Sequence, residues 1–455
     1  MGDLRMTKLS LLNRRQALAG FGAAGFMASS AHAAAPVHAE DFGVIPAFPD
    51  DQTRAMQAAL DAAAAQGAAL ILPSGSIFVR DLQLPGQLTI EGVPGATQLA
   101  SWNGGRIAQA GNISNLVLRN IVFDARNATA LEGDALLEIT GALAVTIERC
   151  SFTNSPATGL RIAESGVTVS DCDFARHGDA AIHATDNHNL LVTGNRISDC
   201  GNAGIRVWRS EPGADGSIVT GNRIAKIDWR GGGNGQNGNG INVFRADEVI
   251  LSDNHIADCA FSAIRLNTTN NIQVSGNLCL RSGEVAIFSE FDFSGSVIAN
   301  NIVDTAAAGI SMTNLDSGGQ IAVCTGNIVR NITPLSVVNP DTRPYGIAAE
   351  AEAAITGNTV QNVPGIAIAA GNGPFLRNVL IASNVIQASN IGIAVSVADG
   401  AGAVHIANNI ISDVRDHAVV GMAWSDIVEP DLVTNAGRFA NVTVDSVTVG
   451  RSPRS

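Results

Sequence analysis

Three arginines and a histidine recur at one place in a repeated phrase. In Gly159-Leu160-Arg161-Ile162, Ala181-Ile182-His183-Ala184, Gly204-Ile205-Arg206-Val207 and Ala263-Ile264-Arg265-Leu266, a small residue precedes an apolar, polar, apolar triplet. The alternation has the period of a strand, so the basic residue points away from the apolar face. Asn242 fills that position in Gly240-Ile241-Asn242-Val243, and two residues further on stand Trp208 and Phe244. Stacked in register, the row Arg161, His183, Arg206, Asn242, Arg265 would span roughly 19 Å. Like charges at that spacing repel unless something answers them. An anionic polymer can, through bidentate guanidinium contacts and the apolar faces of Trp208 and Phe244. Nearby carboxylates are the alternative: Glu164, Asp186, Glu211 and Asp247.

Two chemistries fit such a row. A lyase needs a base for the sugar C5 proton and neutralisation of a uronate, which Arg206 or Arg265 could supply, with His183 or Lys226 as alternatives. A hydrolase needs two carboxylates. Glu290 and Asp292, two residues apart on one strand face, would be about 6.6 Å apart at Cα, near the spacing of an inverting pair. The basic row favours the lyase; Asp186, Glu290 and Asp292 join Arg161, Asn242, Trp208 and Phe244 as substrate contacts. No His or Cys set has zinc spacing and no cofactor is expected, although an acidic groove leaves Ca²⁺ possible. The run Gly231 to Gly240 lacks the Lys and Ser or Thr of a phosphate loop.

The elements that must hold these residues repeat. Nine copies of an apolar residue, small or polar residues, Asn, any residue, then Ile, Val or Cys run from Val192-Thr193-Gly194-Asn195-Arg196-Ile197 to Ile406-Ala407-Asn408-Asn409-Ile410-Ile411. Cys150, Cys172 and Ile121 occupy the Asn position in three earlier copies, making about twelve rungs. Short strands and turns in a repeat of roughly 25 residues specify a parallel β-solenoid. The 37 Asn and 48 Gly of 455 residues then have a cause: Gly supplies the turns, and inward Asn side chains bond backbone and neighbours along the axis. Cys150 and Cys172, at ladder positions, should be buried thiols, and they are the one pair for which a disulfide stays open. Cys200 and Cys259, two rungs or about 9.6 Å apart, are too distant to bridge. Further along, the outward row reads Phe288, Ser311, Ala348, Ala367, Ala394 and Val420, and its small rungs would be the contact face of a noncatalytic interaction protein.

Ahead of the rungs stand Asp41-Phe42-Gly43, then Asp50-Asp51-Gln52-Thr53 leading into Gln57-Ala58-Ala59-Leu60-Asp61-Ala62-Ala63, then Leu72-Pro73-Ser74-Gly75. Asp50 or Asp51 can N-cap an Ala-rich helix that ends at Gly67. This segment resembles the N-terminal cap of pectate-lyase-like right-handed β-helix proteins. The resemblance implies an all-β, right-handed parallel β-helix with a short N-terminal capping helix. Asn13-Arg14-Arg15-Gln16-Ala17-Leu18, the apolar run Ala17 to Ala28 and Ala31-His32-Ala33 resemble a twin-arginine export signal. With the Asn-rich rungs, the chain looks most like the twin-arginine-translocated β-helix repeat proteins of bacteria. Expected are a signal peptide over 1–34, a cap and first rungs over 35–115, repeats over 116–425 and a C-terminal cap or tail over 426–455. Such a chain would engage the twin-arginine (Tat) export machinery and act in the periplasm or outside the cell. His177-Gly178 is similar to the His-Gly of polygalacturonases, but their companion signatures are missing and no role is assigned to it. A formal charge of −13 argues against nucleic acid as a partner, and no later apolar run reaches a membrane span. The expected function is binding and processing of an acidic polysaccharide.

Overall fold

The computed structural model describes residues 34–233, 235–313 and 319–450; the expected signal peptide, but for Ala34, lies outside the described residues. Sixteen strands, from Val37–His38 to Val442–Asp445, form one parallel sheet. Another 26 strands build two further ladders, linked by long strands such as Leu278–Glu290 that turn the corner between them. Among the described residues one pairing is antiparallel, His417–Ala423 with Asp426–Glu429. The sheet is longer than the twelve rungs expected, because Leu70–Ile71, Leu88–Glu91 and Val442–Asp445 extend it without the Asn phrase. Val442–Asp445 and Thr448–Gly450 also carry the ladders beyond residue 425.

Inward positions repeat down the axis. Ile147, Val169, Val192, Val219, Leu251, Val274 and Ile298 pair in sequence and are fully buried. Each such side chain contributes about 1.5–3 kcal/mol. Phe123, Phe152 and Phe174 stack in the same way, with ring centroids 4.8 and 4.7 Å apart.

The Asn phrase folds into a continuous corner ladder. Nine asparagines from Asn195 to Asn409 are at most 1% exposed. Each Nδ2 donates to the next Oδ1 at 2.9–3.0 Å. The backbone N–H of the same residue donates to that oxygen at 2.9–3.1 Å. The residue before the ladder Asn takes the left-handed conformation, as at Gly194 (φ 69), Asp253 (φ 55) and Asn300 (φ 56). That is why the phrase reads Gly-Asn, Asp-Asn or Asn-Asn in every copy but one, where Ser383 (φ 57) precedes Asn384. Cys172 and Cys150 continue the ladder: the Cys172 N–H donates to Asn195 Oδ1 at 2.9 Å, and the Cys150 N–H to Cys172 Sγ at 3.4 Å. All six cysteines are free and buried.

A helix spans Thr53–Gln66 and ends at left-handed Gly67. Asp51 accepts the Thr53 N–H at 2.9 Å, from one position outside the Gln52 N-cap. Met56, Ala59, Leu60 and Ala63 are buried in the same core as the first strands.

Candidate functional site

The row of basic residues exists in the register the alternation implies. Arg161, His183, Arg206, Asn242, Arg265, Phe288, Ser311 and Ala348 pair one to the next. Trp208, Phe244, Asn267 and Glu290 run beside them. One position is corrected: Ala348 pairs with Ala369, not Ala367, because the strand Thr359–Ala370 carries a bulge between Val363 and Ile366 that moves the phrase along.

Of the two answers to the basic row, carboxylates rather than an open groove meet these side chains. Arg206, Asn242 and Arg265 are 5%, 4% and 6% exposed. The glycine run covers them. A β-carbon on Gly235 would lie 2.9 Å from Arg265 Cζ, and Asn237 Oδ1 accepts from Arg206 Nη2 at 2.9 Å. The run is rich in glycine where backbone must approach guanidinium this closely. Each arginine also has a carboxylate, none of the four expected. Arg161 pairs with Asp134. Arg206 donates to Asp179 Oδ2 at 2.8 Å. Arg265 grips Glu290 bidentately at 2.7 and 2.8 Å and donates to Glu284 Oε2 at 2.9 Å. A signal for the acids was present: Gly133-Asp134, Gly178-Asp179 and Gly283-Glu284 each precede the second strand of a rung.

The electrostatics follow from this burial. Burial, then the Arg206 charge, pushes the His183 imidazole down to about 4, so His183 is neutral near pH 7. Its ring lies 5.0 Å from Trp208, edge on, and Trp208 lies 6.0 Å from Phe244. Trp208 Nε1 donates to Asn242 Oδ1 at 2.6 Å. Burial works against ionisation of Asp179, but the Arg206 charge and the hydrogen bonds from Arg206, Asn202 and Thr158 outweigh it and hold the carboxyl below its ordinary range. Glu284 is the opposite case. Burial pushes its carboxyl up, Glu290 adds to this, and Arg265 and Asn339 only partly offset it.

Glu284, Arg265 and Glu290 therefore form a buried triad of two carboxylates on one guanidinium. Two clefts meet at it. One, of about 520 Å³, is walled by Trp208, Gln236, Phe244 and Asn267; the other, of about 580 Å³, runs past Phe288 to Ala348, Ala369, Ala394 and Trp424. Glu290 and Phe291 line both. The alanine rungs expected to be a contact face thus floor a cleft. Asn339 Nδ2, from the excursion over residues 333–344, donates to Glu284 Oε1 at 2.8 Å. Asn339, Tyr345, Glu350 and Trp424 line this second cleft. Sequence reasoning missed them because they lie in or beside excursions with no repeating phrase. Burial pushes the Tyr345 hydroxyl up to about 12.

The remaining candidates fall elsewhere. Asp186 accepts the Ser210 N–H at 2.8 Å and hydroxyl at 2.7 Å, fastening the exposed far end of the strand Ala203–Ala214. Glu290 and Asp292 do not share a strand face: the strand ends at Glu290, and Phe291 (φ 46) and exposed Asp292 (φ 40) are left-handed turn residues. The partner carboxylate of Glu290 is Glu284. Lys226 pairs with Asp199 at 3.6 Å and lines neither cleft. His177 is 1% exposed, held at about 4 by burial. Among the described residues, no three His, Cys, Asp or Glu side chains are grouped so as to hold a metal ion, and no helix is long and apolar enough to cross a membrane.

A family model described as right handed beta helix region matches residues 102–235 and 212–354. Three solved structures share the fold. The enzymatically active domain of bacteriophage CBA120 tailspike protein 2 aligns with TM-score 0.51 and 15% identity, over 64% of this chain and 48% of that one. The catalytic unit of a thermostable GH87 alpha-1,3-glucanase from Streptomyces thermodiastaticus strain HF3-3 aligns with TM-score 0.50 and 17% identity, over 92% and 69%. Tailspike protein 3 of bacteriophage CBA120 aligns with TM-score 0.50 and 13% identity, over 92% and 62%. The chain thus spans about half of the first structure. No curated protein matches the chain.

Proposed function

The chain belongs to the right-handed β-helix family, and from that premise we propose that it binds a polysaccharide along its two clefts and hydrolyses it at Glu284 and Glu290. The observation that carries this reading is the buried triad where the clefts meet. One guanidinium cannot neutralise two carboxylates, so one negative charge is left over in a site of low dielectric. The excess is relieved by a proton, and burial favours it on Glu284. Glu284 then protonates the glycosidic oxygen as its bond to the anomeric carbon breaks. Water adds to that carbon and gives its proton to Glu290. Trp208 and Phe244 supply apolar faces for sugar rings on one side of the triad. The glucanase of similar fold is a precedent for a polysaccharide on such a rod.

The elimination favoured by the basic row has less support. Arg206 and Arg265 lie beneath the glycine run in ion pairs, and neither is placed to take a proton. An export signal at Arg14-Arg15 would carry the chain to the periplasm or the medium, where such polymers are met. The test is incubation with a panel of neutral and uronate glycans, read by new reducing ends and by unsaturated-product absorbance. Reducing ends without unsaturation are expected. Unsaturated product would overturn hydrolysis, and an inert panel would overturn catalysis.

A further inference from the structure

Trp424 is the one exposed tryptophan of the four, at 58%. It sits in the tight turn of the hairpin that breaks the parallel pairing, between Ala423 and Asp426. Its backbone is left-handed, φ 57, a strained conformation for a bulky residue. The ring is nonetheless fixed. A β-carbon on Gly373 would come within 2.6–2.8 Å of its six-membered ring, so the indole rests on bare backbone. On the next residue, Ser425 Oγ accepts from Arg343 Nη2 at 3.2 Å, tying the hairpin to the excursion over residues 333–344. The indole is thus supported from beneath, anchored through its neighbour and left open to solvent beside the 580 Å³ cleft. From the rung of Phe288 to that of Ala394 is four ladder steps, about 19 Å, room for several sugar units over a floor of alanines.

The cleft also has a sign. Among the described residues, Glu284, Glu290, Asp341 and Glu350 line it against Arg343; with the proton on Glu284, Arg265 answers Glu290, and the ionised acidic groups, Glu290, Asp341 and Glu350, still outnumber the basic ones, Arg265 and Arg343, by one. A polyanion entering would meet like charge. We propose that Trp424 is the stacking platform of a distal sugar subsite, and that the polysaccharide it receives is neutral. This rests on the reading of the clefts as a polysaccharide site. The nonpolar face of a pyranose packs on the exposed indole, and its hydroxyls meet the carboxylates of the cleft.

The test uses the full chain carrying Glu284→Gln, which prevents turnover, with Trp424→Ala or Trp424→Phe added. Calorimetric titration with maltohexaose, laminarihexaose, cellohexaose and nigerohexaose, and with hexamers of galacturonate and mannuronate, reads affinity; circular dichroism checks the fold. A neutral hexamer is expected to bind. Trp424→Ala should weaken it about tenfold, or about 1.4 kcal/mol, and Trp424→Phe should restore most of the loss. Unchanged affinity in Trp424→Ala, or tighter binding of a uronate than of every neutral hexamer, overturns the proposal while leaving the polysaccharide reading in place. Failure of every hexamer to bind the Glu284→Gln protein overturns both.

Discussion

Replacing Asn301 with alanine measures what the corner ladder contributes. Asn301 Oδ1 accepts from the Asn277 N–H at 2.9 Å and from Asn277 Nδ2 at 3.0 Å. Its Nδ2 donates to Val274 O at 3.1 Å and to Asn327 Oδ1 at 3.0 Å. The Asn277 amide keeps bonds to Leu251 O and Ser275 O, and Asn327 Oδ1 keeps the Asn301 N–H. The group stranded is the Asn277 backbone N–H, in a corner too buried for water to reach freely. Leaving it unsatisfied costs about 1–3 kcal/mol, and the other lost bonds add roughly 0.5–1.5 kcal/mol each. With three such bonds, from Asn277 Nδ2, to Val274 O and to Asn327 Oδ1, the expected destabilisation is about 2.5–7.5 kcal/mol. Asn331→Ala is the comparison: its Nδ2 donates to Asp304 Oδ1 at 2.8 Å and its Oδ1 accepts from Asn362 Nδ2 at 3.0 Å, both in exposed positions, and its left-handed backbone (φ 57) disfavours alanine, so it should cost about 1–2 kcal/mol. Urea unfolding followed by circular dichroism gives both values. Because rungs contact mainly their neighbours, Asn301→Ala should also split the transition, as the ladder is cut near its middle. Equal midpoints for the two variants would refute the account of the asparagines.

Three further outcomes follow from the same contacts. Gly235→Ala should displace the Arg265 guanidinium and lower turnover at least tenfold at a stability cost of about 1–3 kcal/mol, whereas Gly437→Ala, with nothing within 4 Å of the new β-carbon, should be silent; equal kinetics in the two would contradict the role of the glycine run. The rise in the Glu284 carboxyl above its usual 4.5 means the folded state holds a proton that the unfolded chain has lost. Its contribution is greatest below pH 4.5 and is lost as pH rises through the raised value, and the basic limb of the pH–rate profile should track Glu284. A limb unchanged in Glu284→Asp would count against it. Burial pushes the thiols of Cys200, Cys279 and Cys324 up to about 12, so iodoacetamide should leave the native protein unmodified and alkylate all six cysteines in denaturant; rapid native labelling or a disulfide mass would contradict the buried thiols.

The repeat was legible because its signals are local and obligatory. Left-handed residues before the ladder Asn, and strict alternation in the second strand, exposed both the corner and the row from Arg161 to Ala348. Reading stopped where the rungs became irregular. The bulge between Val363 and Ile366 shifted the row from Ala367 to Ala369, and the left-handed turn at Phe291 and Asp292 removed the carboxylate pair expected there. The site itself was half legible. Arg265 and Glu290 were identified, but their relation was not, since neighbouring rungs place residues 25 apart in sequence within a hydrogen bond. Glu284 lies beside a second bulge, between Ser282 and Val285, where alternation cannot say which way a side chain points. Trp424 and Asn339 belong to excursions that obey no repeat.

The central claim is that a polysaccharide lies across the Glu284–Arg265–Glu290 triad. The most direct measurement is a crystal structure of the Glu284→Gln protein soaked with a neutral hexasaccharide that the wild type cleaves. Sugar density running along the rungs between Trp208 and Trp424, with a glycosidic oxygen within hydrogen-bond reach of residue 284, is the predicted result. Sugar bound on another face of the rod, with the two clefts empty, would contradict it.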